Sequence, residues 1–176
     1  PRFIYVTVST GIGGGIVLDG RLSRGVDGSH PEIGHHVIDP SGPPCYCGAR
    51  GCWESMASGS ALAAWAQARM GTERLDAQQV CALAEQGVPA AIEAVAREAF
   101  YLGLGLANLV ILLAPDAIAL GGGVMKSWPL LREGALRVVA QNCSLVPYQR
   151  TRILPAQLGP DTGLIGAAQV WLHSLS

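Results

Sequence analysis

The apolar positions of the first twenty residues fall into two short segments separated by glycines. Residues 3–8 are β-branched and aromatic, a composition typical of a strand, and residues 16–18 resume the same pattern. Between them stands the run Thr10-Gly11-Ile12-Gly13-Gly14-Gly15. Asp19-Gly20 is a two-residue turn signal that leads into Arg21-Leu22. The pattern therefore predicts an initial strand, a glycine-rich junction and a β-hairpin.

Residues 25–59 carry no apolar period, and Gly, Pro, Cys, His and Ser dominate the segment. A loop of that length inside a compact domain is uncommon unless something orders it. We therefore expect an ordering element within this segment, and a bound metal ion would supply one.

The rest of the chain has the pattern of helices that alternate with short apolar strands. We expect the first helix to be capped by Ser58 or Ser60 and stopped by Gly71. The second opens at Asp76, with Gln79 in the capping-box position. The predicted helices are 60–70, 76–87, 89–113, 128–141 and 163–172, and the predicted strands are 117–120 and 150–154. A hairpin followed by alternating helices and strands predicts an α/β layered fold.

Charge and hydropathy limit the classes of partner. The 176 residues include 12 Lys plus Arg and 13 Asp plus Glu, a net charge of -1, which gives no footprint for nucleic acid or an anionic membrane. The hydrophobic fraction of 49% and the mean hydropathy of +0.32 predict a large core, or apolar surface that meets a second subunit or a missing lobe. No signal-peptide pattern opens the chain, and the apolar stretch 100–114, interrupted by Asn108, is expected not to span a membrane.

Cysteine spacing is the most specific signal in the sequence. Three of the five cysteines, Cys45, Cys47 and Cys52, fall within eight positions, and this pattern favours metal binding in a reducing compartment. Zinc prefers four tetrahedral thiolate and imidazole ligands, so one histidine completes the set. The candidates for that ligand are His30, His35 and His36. Because all ligands come from one loop, we predict a closed, structural zinc site that orders residues 28–56.

Two carboxylates flank the cysteines. Glu32 lies before them and Glu54 directly after them. Such side chains are either solvated surface groups or, when a rigid loop holds them, acceptors for the vicinal hydroxyls of a sugar. The residue types alone leave both interpretations open.

Each of the two glycine clusters follows a predicted strand. The glycines after Thr10 can turn backbone N–H groups toward an anion, although a plain strand junction explains the same spacing. Gly121-Gly122-Gly123 stands at the carboxyl end of a buried strand, where α/β sheets bind ligands, or allows close strand–helix packing.

Together these residues resemble the ROK family of bacterial sugar kinases and sugar-responsive repressors. The run from Thr10 to Gly15 resembles the second phosphate loop of the family, and Glu32-Ile33-Gly34-His35 resembles its E-x-G-H sugar motif. Residues 45–54 are similar to its zinc motif, Cys-x-Cys-Gly-x-x-Gly-Cys-x-Glu. Leu120-Gly121-Gly122-Gly123 resembles its adenosine turn, and residues 163–168 resemble its closing helix.

The resemblance implies a fold and a set of site residues. The implied fold is the carboxyl-terminal lobe of an actin-like, ribonuclease-H-like ATPase with an inserted zinc loop. The implied zinc ligands are His35, Cys45, Cys47 and Cys52. The implied sugar contacts are Glu32, His35 and Glu54. The implied nucleotide contacts are Thr10, Gly11, Gly13, Gly14, Gly121, Gly122 and Gly123. His30-Pro31 is similar to the segment that precedes the sugar motif in fructokinase-like members.

Two motifs of the family kinases are missing from residues 1–176. An early D-x-G-x-T phosphate loop and the catalytic aspartate of an N-D-A-N-like motif precede the first strand in the family, and this sequence contains no N-D dipeptide. The kinase mechanism needs that aspartate as general base, with Mg²⁺ on the phosphates of ATP. We therefore predict a single lobe that lacks its amino-terminal partner and does not transfer phosphate alone.

The leading prediction is an ATP-dependent hexose kinase of glucokinase or fructokinase type in the full-length protein. We expect it to be cytoplasmic and homodimeric, with the hexose bound between the two lobes. A sugar-responsive repressor of the same family, with an upstream DNA-binding domain, is one alternative. A zinc-stabilised module without catalysis is another.

Overall fold

A computed structural model describes residues 1–173, in which five strands form one mixed sheet. The strands are β1 (Arg2–Val8), β2 (Ile12–Leu18), β3 (Arg21–Leu22), β4 (Ala117–Gly121) and β5 (Arg152–Pro155). Their order across the sheet is β3-β2-β1-β4-β5. β2 pairs antiparallel with both β1 and β3, whereas β4 pairs in parallel with β1 and β5 pairs in parallel with β4.

The predicted hairpin turn is confirmed, but the glycine run differs from the prediction. Asp19 (φ 51°) and Gly20 (φ 79°) form the two-residue turn between β2 and β3. Residues 13–15 lie inside β2, where they pair with Thr7, Val6 and Tyr5. A Cβ on Gly14 would overlap the Tyr5 carbonyl oxygen and the Ile33 side chain, so glycine permits close packing here. The true turn between β1 and β2 is only residues 9–11.

Six α-helices complete the described fold. They are α1 (Trp53–Ala57), α2 (Gly59–Met70), α3 (Ala77–Glu85), α4 (Pro89–Leu113), α5 (Trp128–Asn142) and α6 (Thr162–His173). Ser58 caps α2, and its hydroxyl oxygen accepts from the Ala61 amide at 3.2 Å. Asp76 and Gln79 form the predicted capping box at α3. Gly71 ends α2 in the left-handed region at φ 65°.

Helix α4 is the centre of the core. It packs against α1, α2, α3 and α5, and Gly103 leaves no room for a side chain against Ala135 and Val138 of α5. The buried strand residues Ile4, Val6 and Ile118 belong to the same hydrophobic cluster as α4. At 25 residues α4 meets the length and composition criteria for a membrane span, but 56% of its most apolar window is buried within the protein. Helix α4 is therefore a helix of the protein core.

Candidate metal centre and adjoining cavity

The segment between β3 and α2 is folded tightly onto α4. Trp53 is fully buried, and its Nε1 donates to the Tyr101 carbonyl oxygen at 3.1 Å. The Tyr101 hydroxyl donates to Asp39 Oδ2 at 3.0 Å, and Arg97 Nη1 donates to the Met56 carbonyl oxygen at 2.9 Å. These three hydrogen bonds, which we call the α4 latch, fix the loop at both ends of the cysteine motif.

Four metal-ligating side chains converge at the tip of this loop. The ligand atoms of His35, Cys45, Cys47 and Cys52 all lie within 4.8 Å of one another. The Cys47 and Cys52 sulfurs are 3.5 Å apart, and Cys45 Sγ is 3.5 Å from His35 Nδ1. A tetrahedral ion with bonds of about 2.3 Å to sulfur spaces its sulfurs by about 3.8 Å. The spacing and the donor set therefore fit one zinc ion.

The structure separates the three candidate histidines. His35 ends the 3-10 turn Ile33–His35, which directs its Nδ1 to the sulfurs. His36 turns the other way, with Nδ1 2.5 Å from the Ile33 carbonyl oxygen and its ring against Trp53. His30 is exposed and lies outside the cluster. The choice of His35 agrees with the resemblance.

The thiols differ in their readiness to ionise. Hydrogen bonding, chiefly from the Ala49 backbone, lowers the pKa of Cys47 to about 7, whereas burial raises the pKa of Cys52 to about 12. A cation must therefore displace a proton from Cys52 when it binds. Metal binding at this cluster is accordingly expected to weaken in acid.

Glu54 joins the metal loop to the strand turn. Its Oε2 accepts from the Ile12 amide at 2.8 Å, and its Oε1 lies 4.0 Å from His35 Nε2. Tyr46 Oη lies 2.8 Å from the same nitrogen. Glu32 is exposed just before the 3-10 turn. Two of the three predicted sugar contacts, His35 and Glu54, therefore stand side by side.

Two cavities meet at Thr10. The first, of about 410 Å³, lies between the β1–β2 turn, the start of α2 and the start of α3, and Gly123 and Val124 contribute to its wall. The second, of about 800 Å³, runs between the metal loop and α2, and both Gly11 and Glu54 line it. Thr10 is shared by both.

The remaining predicted nucleotide glycines do not line either cavity. Gly13 and Gly14 are strand positions. Gly121 packs against the Tyr5 ring, and Gly122 adopts φ 92° against the Val8 backbone. Close packing explains why glycine occupies positions 121 and 122, so a ligand is not needed to account for these two residues.

Sequence reasoning missed several cavity residues. Tyr46 is the middle residue of the Cys-x-Cys spacing, so it was the only one of these residues that the motif could have indicated. Arg97 lies on α4, far from any motif, and only the tertiary fold brings it to the larger cavity. Trp65 reaches the same cavity from α2. For Arg97 and Trp65, helical periodicity was the only signal in the sequence.

The sheet order, the helices on it and the cysteine–histidine loop define a mixed α/β protein of the actin-like ATPase class. The ROK family model matches residues 1–174, and the chain belongs to the ROK family. The resemblance found in the motifs is confirmed, and the relatives include both sugar kinases and sugar repressors.

Three relatives illustrate the range. The xylose repressor of Bacillus subtilis (strain 168) is 34% identical over 96% of this chain and 44% of its own length. The N-acetylmannosamine kinase of Citrobacter koseri is 38% identical over 94% of this chain and 55% of its own. The crystal structure of a ROK glucokinase from Streptomyces griseus with glucose and AMPPNP superposes with a TM-score of 0.84 at 32% identity, covering 96% of this chain and 60% of that one. The chain thus spans about half the length of the relatives it matches.

Proposed function

We propose that this chain is the zinc-bearing, carboxyl-terminal lobe of a cytoplasmic, ATP-dependent hexose kinase. The observation that carries the proposal is the position of Glu54. One of its oxygens holds the amide that follows the glycine turn, and the other faces the ring of the metal-loop histidine. A sugar-binding carboxylate, a metal loop and a phosphate-binding turn are thereby parts of one unit.

Zn²⁺ would be held by His35, Cys45, Cys47 and Cys52. Its contribution when bound is structural, because four protein ligands close its coordination sphere. With Nδ1 on the metal, the proton of His35 resides on Nε2, which would donate to a sugar hydroxyl that replaces Tyr46 Oη as its partner. Glu54, and Glu32 from the exposed side, would accept from neighbouring hydroxyls.

The nucleotide would lie in the smaller cavity. Thr10 and Gly11 offer a hydroxyl and backbone amides for phosphate, and Gly123 borders the place assigned to adenosine. ATP with Mg²⁺, the general-base aspartate and the rest of the sugar site belong, in this proposal, to the amino-terminal lobe and the full-length protein. Apolar side chains that α6 exposes, Leu164, Ile165 and Val170, provide surface for that lobe or for a homodimer.

The zinc step is tested by replacing one ligand. Cys47→Ser should lower bound zinc from one equivalent to none and abolish hexose binding together, because the same loop carries both. Cys81→Ser is the control, since Cys81 is a buried cysteine outside the cluster. Metal content by elemental analysis and calorimetry against glucose, fructose and N-acetylmannosamine give the result. Hexose binding that survives complete loss of zinc would refute the role of the loop.

A repressor of the same family is the second candidate. The 34% identity to the xylose repressor over 96% of this chain favours it as directly as the kinase relatives favour the first candidate. The sequence encoded before Pro1 decides between them. A D-x-G-x-T phosphate loop supports the kinase, and a basic helix-turn-helix supports the repressor.

A further inference from the structure

The larger cavity has two chemically different ends. Glu54 and Tyr46 stand at the metal-loop end, where neutral hydroxyls would be bound. Arg97 lines the same cavity from α4, and Ser55 and Ser60 add hydroxyl groups along the wall. At about 800 Å³ the cavity lies within the range of small-molecule sites and extends beyond the pair His35 and Glu54.

Arg97 is held firmly but is incompletely used. Its Nη1 donates to the Met56 carbonyl oxygen, and its guanidinium carbon lies 4.7 Å from the centre of the Tyr101 ring. Its Nη2 has only the Met56 sulfur, at 4.0 Å, as a partner among the described residues. A fixed guanidinium with an N–H group to spare is preorganised to donate a hydrogen bond to a further acceptor atom.

The charge of Arg97 is also unpaired within residues 1–173. No carboxylate oxygen of that range lies within 4.0 Å of its guanidinium. Asp39, on the metal loop, is the nearby acid whose charge interacts with Arg97, but its carboxylate already accepts hydrogen bonds from Ser41 and Tyr101. Glu98 follows it in sequence and makes no ion pair with it, and burial raises the pKa of that carboxyl well above its usual range. A half-buried cation without a counter-ion, beside a cavity, favours an anionic ligand.

We propose that the cavity binds a hexose carrying an oxyanion, a sugar acid or a sugar phosphate, whose anionic group is bound by Arg97. The sugar hydroxyls lie at Glu54, and the anionic substituent extends past the serines to the free Nη2 of Arg97. The inference rests on the proposed sugar site and adds the class of its ligand. Trp65, which also lines the cavity, provides a flat face for the sugar ring.

Calorimetry on the zinc-loaded chain tests the inference with glucose, glucuronate, glucose 6-phosphate and inorganic phosphate. Arg97→Gln should weaken the two anionic sugars about ten- to hundredfold more than it weakens glucose, the worth of a charge-assisted hydrogen bond. Any loss of glucose binding measures the loosening of the loop when the hydrogen bond to Met56 is removed. Arg137→Gln is the control, because Arg137 loses the same charge from a surface pair with Glu133 and does not line the cavity. Circular dichroism and zinc content establish that each variant is folded. Arg97→Lys, which keeps the charge without the planar fork, should show an intermediate loss.

The outcomes separate this inference from the proposed function. If glucose binds wild type but the anionic sugars bind no tighter, the sugar site stands and the Arg97 subsite is wrong. Phosphate binding that Arg97→Gln abolishes, without any glucose binding, supports the subsite and refutes the sugar site. Phosphate binding that is insensitive to Arg97→Gln places the anion at Thr10 and overturns the inference. Equal weakening of every ligand in Arg97→Gln shows a purely structural role and also overturns it.

Discussion

Gly105→Ala is the most direct test of how the fold aims Glu54. Gly105 lies on α4 beneath the indole of Trp53, and a Cβ there would come within 3.0 Å of three indole atoms. Because Trp53 is fully buried and joins Cys52 to Glu54, the ring cannot shift without moving a metal ligand and the carboxylate.

The expected cost follows from two opposing terms. Overpacking a core position costs about 1–3 kcal/mol, and complete expulsion of an indole costs about 3–5 kcal/mol. Alanine in place of glycine returns about 1 kcal/mol of helix propensity. The net loss is therefore about 0–2 kcal/mol if the ring stays in place and about 2–4 kcal/mol if it is expelled. Because the added Cβ would overlap indole atoms, we expect the larger loss, which for a chain of this size lowers Tm by roughly 4–16 °C.

Denaturation followed by circular dichroism measures the loss, and a competition assay with a chromogenic chelator measures zinc affinity. Both should fall in Gly105→Ala. Gly166→Ala on α6 is the matched control, because a Cβ there meets nothing within 4 Å and the substitution should be neutral or stabilising. A Gly105→Ala protein as stable as wild type, with unchanged zinc affinity, would refute the claim that Trp53 aims the site.

Two further predictions concern single side chains. Glu98 is fully buried without a hydrogen-bond partner among the described atoms, and burial raises its pKa well above 4.5, so the folded state retains a proton that the unfolded state releases. The stability due to this group is complete below the unfolded pKa and is lost as pH rises, so the stability gain from Glu98→Gln should grow as the pH is raised above 4.5 in urea titrations; a constant difference would contradict this. Asp76→Ala should cost about 0.5–2 kcal/mol by removing the α3 capping box, whereas Gln78→Ala in the same turn should lie within about 0.5 kcal/mol of wild type.

Most helices were predictable because their signals are local. The capping box at Asp76, the glycine stop at Gly71 and the proline start of α4 are each read from a few adjacent residues, and all three are confirmed. Helix α1 was missed because its five residues are too few to show a period. The glycines of β2 were expected in a loop because glycine has a low strand propensity. They nevertheless belong to the sheet, because their backbone pairs with β1.

The candidate site was predictable only where spacing determines chemistry. The cysteine spacing identified three candidate ligands, but choosing His35 over His36 as the fourth requires the direction of each ring, which the 3-10 turn sets. Arg97 and the α4 latch depend on contacts across about forty to sixty residues of sequence, and no local pattern records such contacts. The family resemblance supplied His35 because it carries that tertiary information indirectly.

The two oxygens of Glu54 have different surroundings, one structural and one facing the proposed ligand site. Oε2 is committed to the Ile12 amide, while Oε1 points toward the imidazole and the cavity. A glutamine at this position would keep an oxygen for the amide and exchange only the outward-facing acceptor for a donor. Proteins that share this scaffold could thus change which ligand they bind, or act as a sensor and not as an enzyme. The contact between the strand turn and the metal loop would stay the same.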